Sequence, residues 1–316
     1  MSRPTLSLLI PAYNAAKYLP RLLNSAQAQA IPFDEIWVYD DCSTDDTAAV
    51  ATAYGAKVLR GDTNRGCSAG KHALAMHVET DWIHFHDADD ELLPNFTTLA
   101  WRWIERNDRD VVLFAYEYRD EKSHELLSVS YFDDEALRTD ARRYSLIRQI
   151  NPFCGLYRRS QMLAAGGYQL DARTLYNEDS AFHIKLAFAG LLFSAESTVS
   201  IINWRISGSM SSSNQAKCAV AQSYVLQSVL NLPGSENYHQ DVARGLWAVA
   251  GRLAAFSEWR HARAAAIRAH QLIRRPPEEA GKAWFRALAS LSPSAALALR
   301  EFAIRALRPG LRGMGK

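Results

Sequence analysis

Cysteine is scarce in this chain of 316 residues, and long apolar runs are missing. The four cysteines, Cys42, Cys67, Cys154 and Cys218, are widely spaced and form no Cys-x-x-Cys pair. That spacing argues against a zinc site or a disulfide framework and predicts a reducing compartment, the cytoplasm. No stretch of about 18 uncharged apolar residues occurs, so no membrane-spanning helix is predicted. The apolar stretch near the N-terminus is too short for a signal peptide and runs directly into Pro11-Ala-Tyr-Asn14. No internal repeat is evident.

What remains is the composition of a globular protein, 48% apolar and 22% charged. The net charge of +2 conceals an asymmetry, because residues 241–316 carry fourteen Lys/Arg against five Asp/Glu and leave a net of −7 for the rest. An acidic body with a basic tail predicts an anionic surface as the tail's partner. Nucleic acid is not expected, since no recognised binding motif accompanies the charge.

The first ninety residues alternate strand and helix signals. Apolar runs at Leu6–Ile10, Glu35–Tyr39, Ala56–Arg60 and Trp82–His86 read as strands, and Lys17–Ala30, Asp45–Tyr54 and Cys67–Val78 read as helices. Ser43 or Thr44 is a candidate N-cap of the second helix, and Gly55 fits its C′ position. Such alternation predicts an α/β layer on a mostly parallel sheet. A strand is also expected at 111–118, an irregular excursion at 119–150, and a helix opening at Glu178-Asp179. A hydroxyl-rich loop is expected from Trp204 to Ser213, and Ala/Arg-rich helices follow a boundary near residue 215.

In such sheets ligands sit beyond the carboxyl ends of the strands. Three polar clusters fall there: Pro11-Ala-Tyr-Asn14, Asp40-Asp41-Cys-Ser-Thr, and Asp87-Ala-Asp-Asp90. Asp87, Asp89 and Asp90 repel one another unless a cation lies between them, and clustered oxygens favour Mg²⁺ or Mn²⁺. The competing reading is a solvated acidic turn before a helix. Strand alternation puts His84 and His86 on one face beside Asp87, which admits a zinc hydrolase as a third reading. No further His or Cys stands at helpful spacing, and packing within the sheet is the favoured role of this pair.

These clusters, in this order, resemble the family 2 glycosyltransferases with the GT-A fold. Ser7-Leu-Leu-Ile-Pro-Ala-Tyr-Asn14 looks like their first strand and turn. Glu35-Ile-Trp-Val-Tyr-Asp-Asp-Cys-Ser-Thr-Asp-Asp-Thr47 is similar to their second strand and acidic turn, and Asn64-Arg-Gly-Cys-Ser-Ala-Gly-Lys71 to their Asn-x-Gly segment. His86-Asp-Ala-Asp-Asp90 resembles the DxD motif, and Gly166-Gly-Tyr168 with Asn177-Glu-Asp179 the later pair. The resemblance covers roughly residues 5–215 and implies a Rossmann-like mixed α/β sheet flanked by helices. It makes 1–215 the catalytic domain and 216–316 a basic helical extension.

The resemblance further implies an inverting transferase that moves a sugar from a nucleotide-diphosphate donor, UDP-linked by preference, to a hydroxyl of a glycan or lipid-linked acceptor. Pro11, Tyr13, Asn14, Asp41, Asn64, Lys71 and Asp87 would bind the nucleotide, and Asp89 with Asp87 would hold Mn²⁺ or Mg²⁺. Asp179 would be the general base, oriented by Glu178. Arg205, Ser209 and Ser211 would meet the diphosphate or acceptor from a loop. Each has a plainer alternative: Asp179 as a helix-start carboxylate, Asn64 as a helix cap, Tyr13 as a buried turn aromatic. Two positions depart from the family pattern, Cys42 for its usual glycine and Lys71 where arginine is more frequent. Lysine keeps the charge and loses the planar fork.

A role in bacterial-type surface polysaccharide or lipopolysaccharide synthesis follows by analogy. Peripheral contact of residues 281–316 with the inner face of the cytoplasmic membrane follows from Trp284, Phe285, Leu288, Leu297, Phe302 and Ile304 among arginines. A helical cap is the competing reading of that tail. A non-catalytic nucleotide-sugar-binding regulator or scaffold is the alternative from another functional class.

Overall fold

Strand β1 (Leu6–Ala12) is fully buried along its length and forms the axis of the first half of the protein. In this computed structural model residues 3–168, 170–206, 214–308 and 310 are described. Helix α1 (Leu19–Gln27) follows, burying Leu19, Leu22, Leu23 and Ala26, the i, i+3, i+4, i+7 stripe of a helix on a sheet. Strand β2 (Glu35–Asp40), helix α2 (Thr47–Ala53), strand β3 (Lys57–Arg60), helix α3 (Cys67–His77) and strand β4 (Trp82–Phe85) complete the expected alternation. These four strands are parallel in the order β3-β2-β1-β4. The chain thus leaves β1 in one direction and returns to its other side, which creates a switch point and a crevice at the ends of β1 and β4.

Beyond β4 the sheet becomes mixed. Short strand β5 (Glu91–Leu92) and helix α4 (Phe96–Arg106) precede strands β6 (Val111–Asp120) and β7 (Leu126–Ser130), helix α5 (Asp134–Ile147), strand β8 (Gly155–Arg158), helix α6 (Arg159–Ala164), helix α7 (Glu178–Phe188) and strand β9 (Phe193–Arg205). Strand β8 lies antiparallel between β4 and β6, β9 is parallel to β6, and β5 closes that edge against β9. The expected irregular excursion at 119–150 is instead the β6–β7 hairpin and α5, the latter broken at Asp140 (φ −155°). The charges at the end of β6 are half-buried and paired, Arg119 with Glu117 at 2.6 Å.

The chain divides into two units. The first comprises Met1–Tyr144, Ile150–Leu170 and Lys185–Ser209, and the second Ser145–Gln149, Asp171–Ile184 and Met210–Lys316. These units differ from a single cut at 215, since 145–149 and 171–184 group with the helical unit. Segment 171–184 is tied to the helix Gln215–Ser228 by Tyr224 Oη donating to Asp171 (2.9 Å) and by Arg173 lying 4.3 Å over the Tyr224 ring. The rest of the second unit is helical: His239–Ala255, Trp259–Leu272, Ala283–Leu291 and Pro293–Leu307.

Close packing of α3 on the sheet depends on Gly70. A Cβ there would lie 2.8 Å from Tyr39 Cδ1 and 3.3 Å from Pro11 Cβ. The helix that carries Lys71 can approach β1 and β2 only because this side chain is missing.

Candidate active site

Four turns of the first unit converge on the switch-point crevice. After β1, Tyr13 is 51% exposed, so its ring is not a packed turn aromatic. Asn14 takes a left-handed conformation (φ 48°) and joins the first two turns. Its N–H donates to Ser43 Oγ (2.9 Å), and its Oδ1 accepts from the Thr44 N–H (2.9 Å) and hydroxyl (3.2 Å). Cys42, standing where glycine was expected, has φ 63°. The turn keeps the backbone that glycine favours and bears the strain of a side chain there.

Asp41 is buried, and its two oxygens accept from the N–H groups of Arg65 (2.9 Å) and Gly66 (2.7 Å) at the start of α3. It therefore holds the Asn64-Arg-Gly turn in place, while each oxygen keeps a second lone pair. Asn64 is exposed and does not cap α3, whose N-cap is Gly66. The N-terminus of α2 is likewise not capped by Ser43 or Thr44. Asp45 accepts there from the Thr47 N–H (3.0 Å) and from Ala16 N–H (3.1 Å).

The acidic turn after β4 splits into two chemical roles. Asp87 pairs with the buried Lys71 ammonium at 3.2 Å, and the same ammonium lies 5.8 Å from the Tyr168 ring of the Gly-Gly-Tyr corner. Asp89 is held up at about 6 by burial first and by the Asp87 charge second. Asp90 does not face the crevice's chemistry. It is fully buried, and its carboxylate accepts two bonds from Asn203 Nδ2 (2.9 and 2.8 Å) and one from Trp204 N–H (2.9 Å). Burial also pushes its carboxyl well up. The third carboxylate of the expected cation cluster is thus a clamp between the turn and β9.

Arg21 was not singled out in the sequence. Its guanidinium donates to the Asp89 carbonyl, lies 4.9 Å over the Trp204 ring, and stands 3.9 Å from Glu121. It stands opposite the Leu19, Leu22, Leu23 and Ala26 stripe of α1, where a charged residue reads in sequence as an ordinary solvated side chain. Arg205, expected in a mobile loop, is instead the last residue of β9 and donates to Asp120 (2.6 Å). Ser209 and Ser211 lie outside the described residues.

Among the described residues no group of three or more His, Cys, Asp or Glu is placed to hold a metal. Asp87 and Asp89 offer two crowded carboxylates, which suits a cation that takes one or two protein oxygens and completes its shell with phosphates. The histidines are not part of it. His84 Nδ1–H donates to the Gly155 carbonyl (2.8 Å), which leaves Nε2 to accept from His86 Nδ1–H (3.0 Å). Burial holds both rings neutral, His84 well below its usual range and His86 down to about 3. With His84 packed 4.3 Å from Phe96 and both rings fully buried, the pair is a core element.

Glu178 and Asp179 belong to the second unit and form the first turn of α7. Asp179 is half-buried, its carbonyl accepts from His183 Nδ1–H (2.8 Å), and Tyr176 just upstream has φ 75°.

Residues 7–162 match the family described as glycosyl transferase family 2. An uncharacterised glycosyltransferase of Rickettsia prowazekii is 32% identical over 129 residues, covering 40% of this chain and 41% of that protein. The poly(ribitol-phosphate) beta-N-acetylglucosaminyltransferase TarS of Staphylococcus aureus is 33% identical over 114 residues, 34% of this chain and 20% of TarS. The match therefore spans about two fifths or less of these relatives' length. The crystal structure of TarS 1–349 with UDP-GlcNAc superposes with a TM-score of 0.73 at 19% identity, covering 96% of this chain and 92% of that one. The mannosyltransferase PcManGT of Pyrobaculum calidifontis, solved with GDP-Man and Mn²⁺, has a TM-score of 0.60 at 18% identity, covering 98% of this chain and 82% of that one.

Proposed function

The chain belongs to glycosyl transferase family 2 with the GT-A fold, and from that premise we propose that it transfers a sugar, with inversion, from a nucleotide-diphosphate donor to an acceptor hydroxyl. The observation that carries this reading is the Lys71–Asp87 pair beside the up-shifted Asp89 at the β1/β4 switch point. Tyr13, Pro11 and Asn14 offer an exposed ring and a rigid turn for the base, with Asp41 and Asn64 beside them. Lys71 and Asp87 orient the ribose and diphosphate. A divalent cation on Asp89 and Asp87 would neutralise charge on the departing diphosphate. Asp179 takes the proton of the acceptor hydroxyl as its oxygen bonds to the anomeric carbon and the diphosphate bond breaks, with Glu178 as its neighbour. Ser209 and Ser211 remain proposed donors to the diphosphate, while the Asp120 pairing of Arg205 must break before it could join them.

UDP is the proposed nucleotide because TarS was solved with UDP-GlcNAc. Surface polysaccharide synthesis in the cytoplasm is the proposed setting. It is supported by TarS and by the succinoglycan biosynthesis protein ExoO of Rhizobium meliloti, 31% identical over 137 residues, 42% of this chain and 38% of ExoO. A thermal-shift panel of UDP-, GDP-, CDP- and dTDP-sugars with Mn²⁺ or Mg²⁺ tests both donor and cofactor. One nucleotide at 100 times its Kd should stabilise by about 2.7 kcal/mol, only with metal. Stabilisation by none of them removes the donor-binding reading and, with it, the nucleotide-sugar-binding scaffold, whereas turnover alone separates the enzyme from that scaffold.

Peripheral membrane contact through 281–316 has a specific support. Helices Ala283–Leu291 and Pro293–Leu307 bury Phe285, Ala289, Ala296 and Leu297, yet leave Leu291 83%, Phe302 70% and Leu307 80% exposed. Exposed apolar side chains among arginines suit an anionic interface. No helix among the described residues is long and apolar enough to cross a membrane. The double variant Leu291→Glu/Phe302→Glu is expected to lose sedimentation with phosphatidylglycerol vesicles while keeping its thermal midpoint. Unchanged sedimentation would leave these helices as a cap.

A further inference from the structure

We propose that the helical second unit contains a binding site for a phosphate ester, a cavity of about 280 Å³ lined by Arg244, Trp247, Gly251, Arg252, Glu279 and Arg300. Three guanidinium groups and one carboxylate make the wall cationic. Arg244 is balanced by Asp241 (3.4 Å) and Glu279 (3.8 Å). Arg252 is different, because its hydrogen-bond partner is the neutral amide of Gln222. Burial lowers its pKa from the ordinary arginine value, and an arginine remains charged all the same. Arg252 is nevertheless exposed at the cavity, and beside a neutral amide its charge is not offset by that partner.

The third guanidinium is built into the wall. Arg300 lies 5.2 Å over the Phe285 ring and donates to the Ala280 carbonyl (3.5 Å). It lies against Gly251 of the His239–Ala255 helix, where a Cβ would sit 3.2 Å from Arg300 Nη1. Glycine costs about 1 kcal/mol relative to alanine in a helix interior, and here it opens the space that the guanidinium fills.

A second observation points to a ligand independently of the charge. Trp247 lines the same cavity, is 2% exposed, and its indole N–H is buried with no hydrogen-bond partner. Buried donors of this kind are normally satisfied. A ligand matching these groups is an acceptor-only anion large enough to meet several donors. Phosphate fits guanidinium forks in bidentate geometry. At roughly 30 Å³ per water, the space holds a phosphate together with a small alcohol portion. In a transferase that ester would be part of the acceptor. This last step rests on the function proposed above, and the binding test does not.

Calorimetric titration of the full chain with inorganic phosphate, glycerol 3-phosphate and soluble dihexanoyl phosphatidylglycerol tests the site. Saturable binding of at least one probe is expected, and which one binds separates a free phosphate or soluble ester from a lipid headgroup. Arg252→Gln should weaken it about tenfold or more, and Trp247→Phe, which keeps the ring and removes the donor, about tenfold. Arg268→Gln, an exposed arginine on Trp259–Leu272, should bind like the wild type. Equal thermal midpoints establish that the variants are folded. Absence of saturable binding by all three probes would overturn the proposal. So would binding that survives both Arg252→Gln and Trp247→Phe undiminished. Neither outcome touches donor binding, which the nucleotide panel reads separately.

Discussion

Asp89→Asn is expected to lower sugar transfer by about 10²–10³-fold, the loss typical of removing one preorganised electrostatic contact to a developing anion, and at the same time to stabilise the protein without ligands. Both halves come from one fact. The Asp89 carboxyl is raised from 3.8 to about 6 because it is buried beside Asp87. Between those two values the native state holds a proton that the unfolded chain has released. Stability conferred by this group is therefore present at low pH and lost as pH rises through the window. At pH 7.5 the ionised carboxylate costs the fold about 2–3 kcal/mol, and the neutral amide removes that cost. A cation and diphosphate use the same negative charge, so metal-dependent stabilisation by donor should fade below about pH 6 in the wild type. In the variant it should be absent at every pH. Thermal midpoints of both proteins from pH 5 to 8, with and without donor and Mn²⁺, measure this together with the turnover. A variant that is both no more stable and no less active would remove Asp89 from the site.

The strand–helix alternation was legible in the first ninety residues because β1 and β4 are short apolar runs buried throughout and α1 buries one continuous stripe. The spacing of Leu19, Leu22, Leu23 and Ala26 is a local quantity, and so are the polar turns after β1, β2 and β4. What was not legible depends on partners far along the chain. Asp90 reads as a third metal carboxylate beside Asp87 and Asp89. Its actual partners, Asn203 and Trp204, are more than a hundred positions away on β9. Asp41 reads as a nucleotide-binding acid and is engaged with two backbone N–H groups of a turn that follows a helix and a strand later. Of the β6–β7 hairpin only β6 was legible, because β7, Leu-Leu-Ser-Val-Ser, is short and half-exposed. Residues 171–184 carry no marker of their allegiance to the helical unit, since the contact that decides it, Asp171 with Tyr224, spans 53 positions.

Asp179→Asn is expected to abolish most turnover, a fall of about 10²–10⁴-fold in kcat, while nucleotide-dependent stabilisation stays as in the wild type. The substitution preserves shape, and the backbone carbonyl of residue 179, which accepts from His183 Nδ1–H, is untouched by it. The plainer role of this carboxylate is to complement the positive end of α7, a contribution of about 0.3–1 kcal/mol to stability. Those two roles predict different ratios of effect. Loss of a helix-start charge moves the thermal midpoint slightly and leaves transfer at saturating donor intact. Loss of the base leaves the midpoint nearly unmoved and removes the chemical step, because a neutral amide cannot accept the acceptor's proton as the new bond forms. Glu178→Gln provides the internal comparison. It deletes the same unit of charge one position earlier in the same helical turn, and should cost about tenfold or less if Glu178 only orients its neighbour. Single-turnover transfer with preloaded donor separates the step from binding. Equal rates for Asp179→Asn and the wild type would place the base elsewhere.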